Sequence, residues 1–357
     1  MVDAIKAGGR APDYRPRTEP EGTFIFLTER EVAGIFSPGV AIQSQREAFA
    51  ALGGGTAVLP DKLMVTNTRD GSVAFCYAAR LSPGHGAVSK FGSVNPSNTD
   101  RSLPSISALI VMLDAETGRL SAVMDGTVIT TRRTAAASAA AADTLARTDA
   151  SSLAVLGCGV QGREHVRMLT RVRRFETVRV WDRDPHVSAS VARQLAQETG
   201  LAVGACKSAE DAVRGADLVV ACTLSTVPVV EGKWVAPGAT VISIGSIEPD
   251  RCEVDQDLVR RAGLVVVDDP DTAAHHAGPI VLGLRTGELQ RSDLIGLGEI
   301  LVGSHAGRPD TDAVIYYNST GIGVQDAAAA QAVLAVAERT GVGERRSIVG
   351  EPAVVLP

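Results

Sequence analysis

The chain has 357 residues, 45% of them hydrophobic and 21% charged, enough to bury a large core and to divide into two domains. A formal net charge of −6 and the lack of any dense Lys/Arg block exclude the electrostatic footprint of a nucleic-acid binder, so a small-molecule partner is expected. Cysteines 76, 158, 206, 222 and 252 form no CxxC pair, and no apolar run approaches the roughly 18 residues that span a bilayer, so the expectation is a cytoplasmic protein without disulfides or a membrane partner.

In chain order, residues 1–22 are rich in Pro, Gly and charge without periodicity and read as a flexible arm. "TFIFLTEREVAGIFSP" reads as a strand entering a helix, with Thr28 as N-cap and Glu31 at the capping-box position, and a second helix runs through "AIQSQREAFAAL". Strand-like pieces follow in "KLMVTN", "GSVAFCYAARL", "GAVSKFGSV", "SISALIVMLDAETG" and "RLSAVMDG", with a hairpin signal at "DAETG". They predict an antiparallel or mixed sheet. The alanine-rich helix "TRRTAAASAAAADTLA" then hands over to a second texture, in which short apolar strands alternate with helices from "LAVLG" to "LVVVDD". That alternation predicts a Rossmann-type, doubly wound parallel sheet, giving an α/β protein with a second, α+β domain. The boundaries expected are 23–134 with 322–357 for the α+β domain and 135–321 for the Rossmann domain. The long helix after "YYNSTGIG" should return to cover the first sheet.

Gly157, Gly159 and Gly162 form a GxGxxG directly after an apolar strand, and a second strand ends at Asp182, 182 − 162 = 20 residues beyond the last glycine. The physics assigns each part a task. Gly157 permits the tight turn, Gly159 lets backbone N–H groups approach a pyrophosphate, and Gly162 allows close helix-on-strand packing. Val160 and Gln161 complete the loop at the helix N-terminus. Asp182 can accept from both adenosine ribose hydroxyls and would repel a 2′-phosphate, which favours NAD; Arg183 beside it could hold that phosphate and keeps NADP open. After later strands, Thr223, Leu224 and Ser225 are placed to line the cofactor, and Gly245 with Ser246 to approach the nicotinamide, the plain alternative for the hydroxyls being loop capping.

A substrate carboxylate needs cations. Lys62, Lys90 and Arg133 are the candidates; otherwise Lys90 would be a strand-edge residue facing water, and Arg132 and Arg133 a helix-start pair bound to nearby carboxylates. His275 and His276 lack a third ligand at useful spacing, so no metal is expected. His165 reads as a surface or packing residue, and Cys158 as a small filler of the glycine loop.

"RLSAVMDGTVITTRRTAAASAAAA", "LGCGVQGREH", "VRVWDRDP", "GKWVAPGATVISIGSIEPDRCEVD" and "YYNSTGIGVQDAAAA" resemble the ornithine cyclodeaminase/mu-crystallin family over roughly residues 24–340. The resemblance implies a homodimer formed through the N-terminal sheet domain, a Rossmann domain for NAD(P), and a substrate pocket in the cleft between. It places the substrate-carboxylate arginine on Arg133, the strand lysine on Lys90, and on Lys62 a position that is usually arginine; it also places Ser319 near substrate and nicotinamide. In ornithine cyclodeaminases and the related alanine dehydrogenases, the position of Ile247 holds an aspartate that handles a proton. Mu-crystallin-like ketimine reductases also lack it.

The expected activity is therefore NAD(P)H-dependent reduction of ketimines of 2-oxo acids to amino or imino acids, or the reverse dehydrogenation. In this reading Arg133 and Lys62 hold the carboxylate and Lys90 is the catalytic group at the imine nitrogen. Two other readings stand beside it: an ornithine or lysine cyclodeaminase with tightly bound NAD and Glu248 as base, and a non-catalytic small-molecule binder. Pocket walls are expected from residues such as Cys76 and Tyr77, and Glu248 should point away from Ile247 if the segment stays extended.

Overall fold

The structure, a computed structural model, describes residues 22–101 and 103–348; apart from Gly22 the N-terminal arm lies outside them. β1 (Thr23–Leu27) enters α1 (Glu29–Ile35) through a complete capping box, in which Thr28 N donates to the Glu31 carboxylate at 2.8 Å and Glu31 N to the Thr28 hydroxyl. Such a cap contributes about 1 kcal/mol to the helix start. α2 (Pro38–Gly53) starts on a Ser37 cap with proline in its first turn. β2 (Leu63–Thr66), β3 (Val73–Ala79), β4 (Val88–Val94), β5 (Ile106–Leu113) and β6 (Leu120–Asp125) follow as an antiparallel ladder. The β5–β6 turn closes where the Asp114 carboxylate accepts from the Glu116 and Thr117 N–H groups.

α3 (Thr127–Leu145) joins the two halves. Its alanines 135–137 and 139–142 are all buried, because small side chains on a good helix former let α3 sit against α2 and against the first helix of the next unit. That unit runs β7 (Ser152–Leu156), α4 (Val160–Leu169), β8 (Thr177–Trp181), α5 (Pro185–Thr199), β9 (Val203–Ala205), α6 (Ala209–Val213), β10 (Leu218–Ala221), β11 (Thr240–Ser243), α7 (Gln256–Arg261) and β12 (Ala262–Val267). It continues through α8 (Pro270–His276), α9 (Gly278–Thr286), β13 (Leu294–Gly296), α10 (Leu297–Leu301) and β14 (Val314–Asn318). α11 (Gly323–Thr340) and β15 (Glu344–Ser347) then carry the chain back to the first sheet.

One sheet has the order β15-β1-β6-β5-β4-β3-β2 and the other β13-β12-β14-β11-β10-β7-β8-β9. All pairs in the second are parallel, and β10, β11 and β14 are buried throughout, as strands covered on both faces must be. The strand order reverses between β7 and β10, the switch point at which such sheets bind ligands beyond their strand carboxyl ends. The expected α/β class and the return of the last helix are both realised, α11 packing on α2, α3, β3 and β4. Short elements escaped the sequence pattern. α8, α9 and α10 have 7, 9 and 5 residues, too few for a 3.6-residue period to declare itself, and β15 is a charged, fully exposed "ERRS".

The inner face of the first sheet buries Val88, Ile110, Met112 and Met124 beneath its helices. Its outer face stays open. Register aligns Leu63, Cys76, Phe91, Leu109 and Asp125 in one row across β2 to β6, with Phe91 60% and Leu109 42% exposed.

Candidate active site

On the inner face of β4, Lys90 lies opposite Tyr77 of β3, its ammonium 4.9 Å from the ring centroid. A lysine here is tolerable only with a counter-charge, and α11 supplies one: Lys90 Nζ lies 2.7 Å from Asp326 Oδ2. Arg133, from the first turns of α3, donates through Nε to Asp326 Oδ1 at 3.1 Å and through Nη1 to Gln325 Oε1 at 3.0 Å. Its Nη2 meets no acceptor among the described residues. Arg132 turns elsewhere and donates to the Ala33 and Phe36 carbonyls. Lys62, on the segment entering β2, donates to the Thr320 carbonyl at 3.2 Å and lies 5.3 Å from the Tyr77 ring centroid. The three expected cations thus meet, around a buried carboxylate.

Electrostatics separate them. Burial pulls both lysine ammoniums down to about 8, against the opposing pull of Asp268 on Lys62 and of Asp326 on Lys90. Burial alone would raise Asp326, but Arg133 and then Lys90 hold its carboxyl below the ordinary range, so it is ionised. Tyr77 is pushed up to about 12, first by burial and then by Asp326.

A second carboxylate stands behind this cluster. Asp268, just past β12, accepts from the Tyr317 hydroxyl, from Ser319 Oγ at 3.0 Å and from Gly321 N at 2.8 Å. Burial still leaves it raised above the usual value. It fixes the turn after β14, whose Thr320 carbonyl receives Lys62 and whose Gly321 backs onto the Arg133 guanidinium. Ser319 is 2% exposed with its hydroxyl committed to Asp268, so it shapes the site from behind.

At the switch point the glycine loop has the geometry its spacing implies. Gly157 has φ 92°, where side chains are strained, and a Cβ on Gly162 would overlap the Gly157 carbonyl. Over Gly159 a Cβ would meet nothing within 4 Å, so the approach to the α4 N-terminus is open. α4 starts at Val160, so Val160 and Gln161 belong to its first turn rather than to the loop, and the extended Gly159 serves as N-cap. Val160 is exposed, and Gln161 Oε1 is buried without a partner. Asp182 accepts from Cys158 N at 2.8 Å and from Asp184 N at 3.0 Å, closing the loop from the β8 side, with Arg183 exposed beside it. The open donors, the uncovered apolar groups and the orphaned amide oxygen fit a dinucleotide. Cys158 is pushed up to about 12 by burial and then by Asp182, in keeping with an inert filler.

The later loops are tied by Glu253. Its carboxylate accepts from Thr223 N and Oγ1, Ser243 Oγ and Gly245 N, while its own N–H donates to Ser246 Oγ. Burial outweighs these donors and raises its carboxyl. The hydroxyls of Thr223 and Ser246 are therefore spent inside the protein, and Ser225 Oγ donates to Val227 O. Of Thr223, Leu224 and Ser225 only Leu224, 70% exposed, has its side chain open to solvent.

Several expectations change. Cys76 shares the outer face of the first sheet with Phe91, on the opposite side from Tyr77, and lines no part of this site. After Ser246 the chain bends, so strand alternation does not govern position 248: Glu248 pairs with Arg251 at 3.3 Å and acts electrostatically on Lys62 and Tyr77. His165 is fully buried and lowered to about 4 by burial; its Nδ1 donates to Gln161 O and its Nε2 accepts from Ser138, joining α4 to α3. His275 Nδ1 bonds the Asp271 carbonyl. Among the described residues no His/Cys/Asp/Glu group could hold a metal, and no helix is long and apolar enough to cross a membrane.

Asp326, Asp268 and Glu253 were absent from the sequence reading. Each left a signal: an acid inside an alanine helix, an acid at the carboxyl end of a parallel strand, and an acid among loop residues already under suspicion.

A family model described as the ornithine cyclodeaminase/mu-crystallin family matches residues 25–341. The chain is 31% identical to the alanine dehydrogenase of Archaeoglobus fulgidus over 90% of its own length and 97% of that protein. It is 35% identical to the ketimine reductase mu-crystallin of Mus musculus over 66% of this chain and 71% of that one. Among solved structures, the Thermococcus litoralis Δ1-pyrroline-2-carboxylate reductase in complex with NADH and L-proline superposes with a TM-score of 0.86 at 28% identity, covering 90% of this chain and 99% of that one.

Proposed function

The chain belongs to the ornithine cyclodeaminase/mu-crystallin family, and on that premise we propose that it reduces ketimines of 2-oxo acids with NADH, or runs the reverse dehydrogenation. One observation carries this choice: the loop that follows β11 has Ile247 at the position in question, and its acidic neighbour Glu248 is paired with Arg251. An isoleucine accepts no proton. Deaminating cyclisation needs a base to free an attacking amine and an acid for departing ammonia, whereas reduction of an imine needs no base, only one proton at nitrogen as hydride reaches carbon.

Arg133, with Nη2 free of protein acceptors, and Lys62 bind the substrate carboxylate from the first-sheet side. Lys90, 1% exposed and ion-paired, keeps Asp326 ionised and so keeps Arg133 in place. This takes Lys90 from the proton-transfer role expected of it to a supporting one. The loop at Gly159 and the Asp182 carboxylate would hold a dinucleotide, which when bound would supply the hydride. Asp182 favours NAD over NADP, for which Arg183, exposed just past β8, is the adjacent cation. The domain division supporting this cleft falls at 134/135 and 321/322. The open row through Phe91 and Leu109 is the face that a second copy covers, giving a homodimer.

The test is an NADH-oxidation assay with Δ1-pyrroline-2-carboxylate beside an ammonia assay with ornithine and lysine. Stoichiometric NADH loss without ammonia is expected. Ammonia release without net NADH change would replace this reading with cyclodeamination.

A further inference from the structure

Two positions of this chain depart together from the pattern its family resemblance implies. Ile247 stands where the cyclodeaminases and alanine dehydrogenases of that resemblance hold a proton-handling aspartate, and Lys62 stands where arginine is usual. Arginine and lysine are equivalent in charge but not in chemistry: a guanidinium never releases its proton near neutral pH, and an ammonium can. The structure adds where these positions lie. Lys62 is part-buried beside the turn after β14, and the carboxylate of Glu248, the residue after Ile247, acts on it electrostatically.

The three cations differ in how fully the protein has engaged them. Lys90 is committed to Asp326 and Thr130, and Arg133 to Asp326 and Gln325. Lys62 has one acceptor, the Thr320 carbonyl, and rests near the Tyr77 face, so its remaining N–H bonds are available to a ligand. It is also fixed in position: Thr320 belongs to the turn that Asp268 holds through Ser319 Oγ and Gly321 N.

We propose that Lys62 is the proton donor of the reaction, its ammonium giving a proton to the imine nitrogen as the carbon–nitrogen double bond is reduced. This assignment rests on the imine-reduction reading above. The balance is complete: the π pair of C=N passes to nitrogen and takes the proton from Nζ, forming N–H as Nζ–H breaks, while the carbon receives the hydride of the nicotinamide cofactor. Neutral Lys62 recovers its proton from water at the cleft. In the oxidative direction the neutral amine accepts the same proton. Position 62 thereby supplies the transfer that position 247 lacks.

The surroundings tune the group for this. Burial is the dominant influence and lowers the ammonium to about 8; Arg133 lowers it further, and Asp268, Asp326 and Glu248 oppose. Lys90 on β4 and His276 on α8 also act on it, and Tyr77 on β3 lies beneath it. Reduction should therefore lose rate as pH rises through this value, because the donor is then empty.

The experiment compares wild type, K62R and K62M with NADH and Δ1-pyrroline-2-carboxylate across pH, and follows the lysine side chains of [ε-13C]lysine-labelled protein by NMR. The chain has five lysines, at 6, 62, 90, 207 and 233, and the signal missing in K62R identifies Lys62. The expected result is a Lys62 resonance titrating near the alkaline fall of the wild-type kcat. K62R should keep its KM within about threefold while kcat falls roughly 10²- to 10⁴-fold and loses that limb. K62M should lose both kcat and substrate affinity. A limb owned by the substrate's own iminium would survive in K62R, and that outcome, or a Lys62 that titrates near the ordinary 10.4 or so, overturns the assignment. Wild type that consumes no NADH with imine overturns the reduction reading itself, a failure distinct from an active enzyme indifferent to K62R.

Discussion

The two sides of the candidate site are built from different materials. On the first-sheet side the site is made of side-chain charge: Lys90 and Arg133 converge from a strand and a helix onto Asp326 of α11, and Lys62, from a strand entry, reaches the Thr320 carbonyl. On the Rossmann side it is made of backbone: an open helix N-terminus over Gly159, a positive-φ glycine, and loops whose hydroxyls are absorbed by Glu253. A charged wall is sensitive to the loss of a partner, since an unpaired buried charge is costly. A backbone wall is sensitive to whatever holds the loops, and its side chains can change with little effect.

That contrast orders the expected effects of substitution. Asp326→Asn leaves Lys90 and Arg133 buried without a counter-charge and should destabilise by about 3–5 kcal/mol, read from the midpoint of urea unfolding. Asp326 is held below the ordinary carboxyl value, so its contribution is present above about pH 4 and is lost as pH falls through the lowered folded value. The variant should lose that acid-side dependence, and wild-type stability in Asp326→Asn would dissolve the charged wall. Arg133→Met should weaken substrate binding by roughly 1.5–3 kcal/mol while the NADH affinity persists. Equal loss of both would mean that Arg133 holds the whole cleft together.

Glu253→Gln acts on the other wall. It keeps the shape but weakens charge-assisted bonds to the two loops, and NADH fluorescence titration should show about 1 kcal/mol of lost cofactor affinity with the KM for imine little changed. The smallest effect belongs to Asp182→Ala. Titration with both cofactors should show NAD preference over NADP relaxed, since the removed carboxylate no longer repels a 2′-phosphate; an unchanged ratio would strip Asp182 of that role.

Legibility followed the same division. The glycine loop could be read because its chemistry is local: strand, three glycines, helix and a distant acid lie in order within one βαβ unit, and the structure gives Gly157 and Gly162 the steric tasks their spacing implies. The cations were visible as charges inside apolar segments, but their partners were not. Arg133 and Asp326 are 193 positions apart, and nothing local in "GVQDAAAA" says which base it meets. The hydroxyls of Thr223 and Ser246 follow the loop-capping alternative, because Glu253, seven positions after Ser246, engages both. Lys90 turned inward rather than to water for the same reason: its counter-charge arrives from the far end of the chain.

The central claim, that charge on one wall orients an imine against a hydride source on the other, is tested most directly by isotope transfer. The protein would be given Δ1-pyrroline-2-carboxylate with NADH deuterated in turn on each face of nicotinamide C4, and the product amino acid weighed by mass spectrometry. The account predicts that one of the two labelled cofactors places a single deuterium on C2 for each cofactor oxidised, with no ammonia formed from ornithine under the same conditions. Unlabelled product from both cofactors, together with ammonia from ornithine, would contradict it.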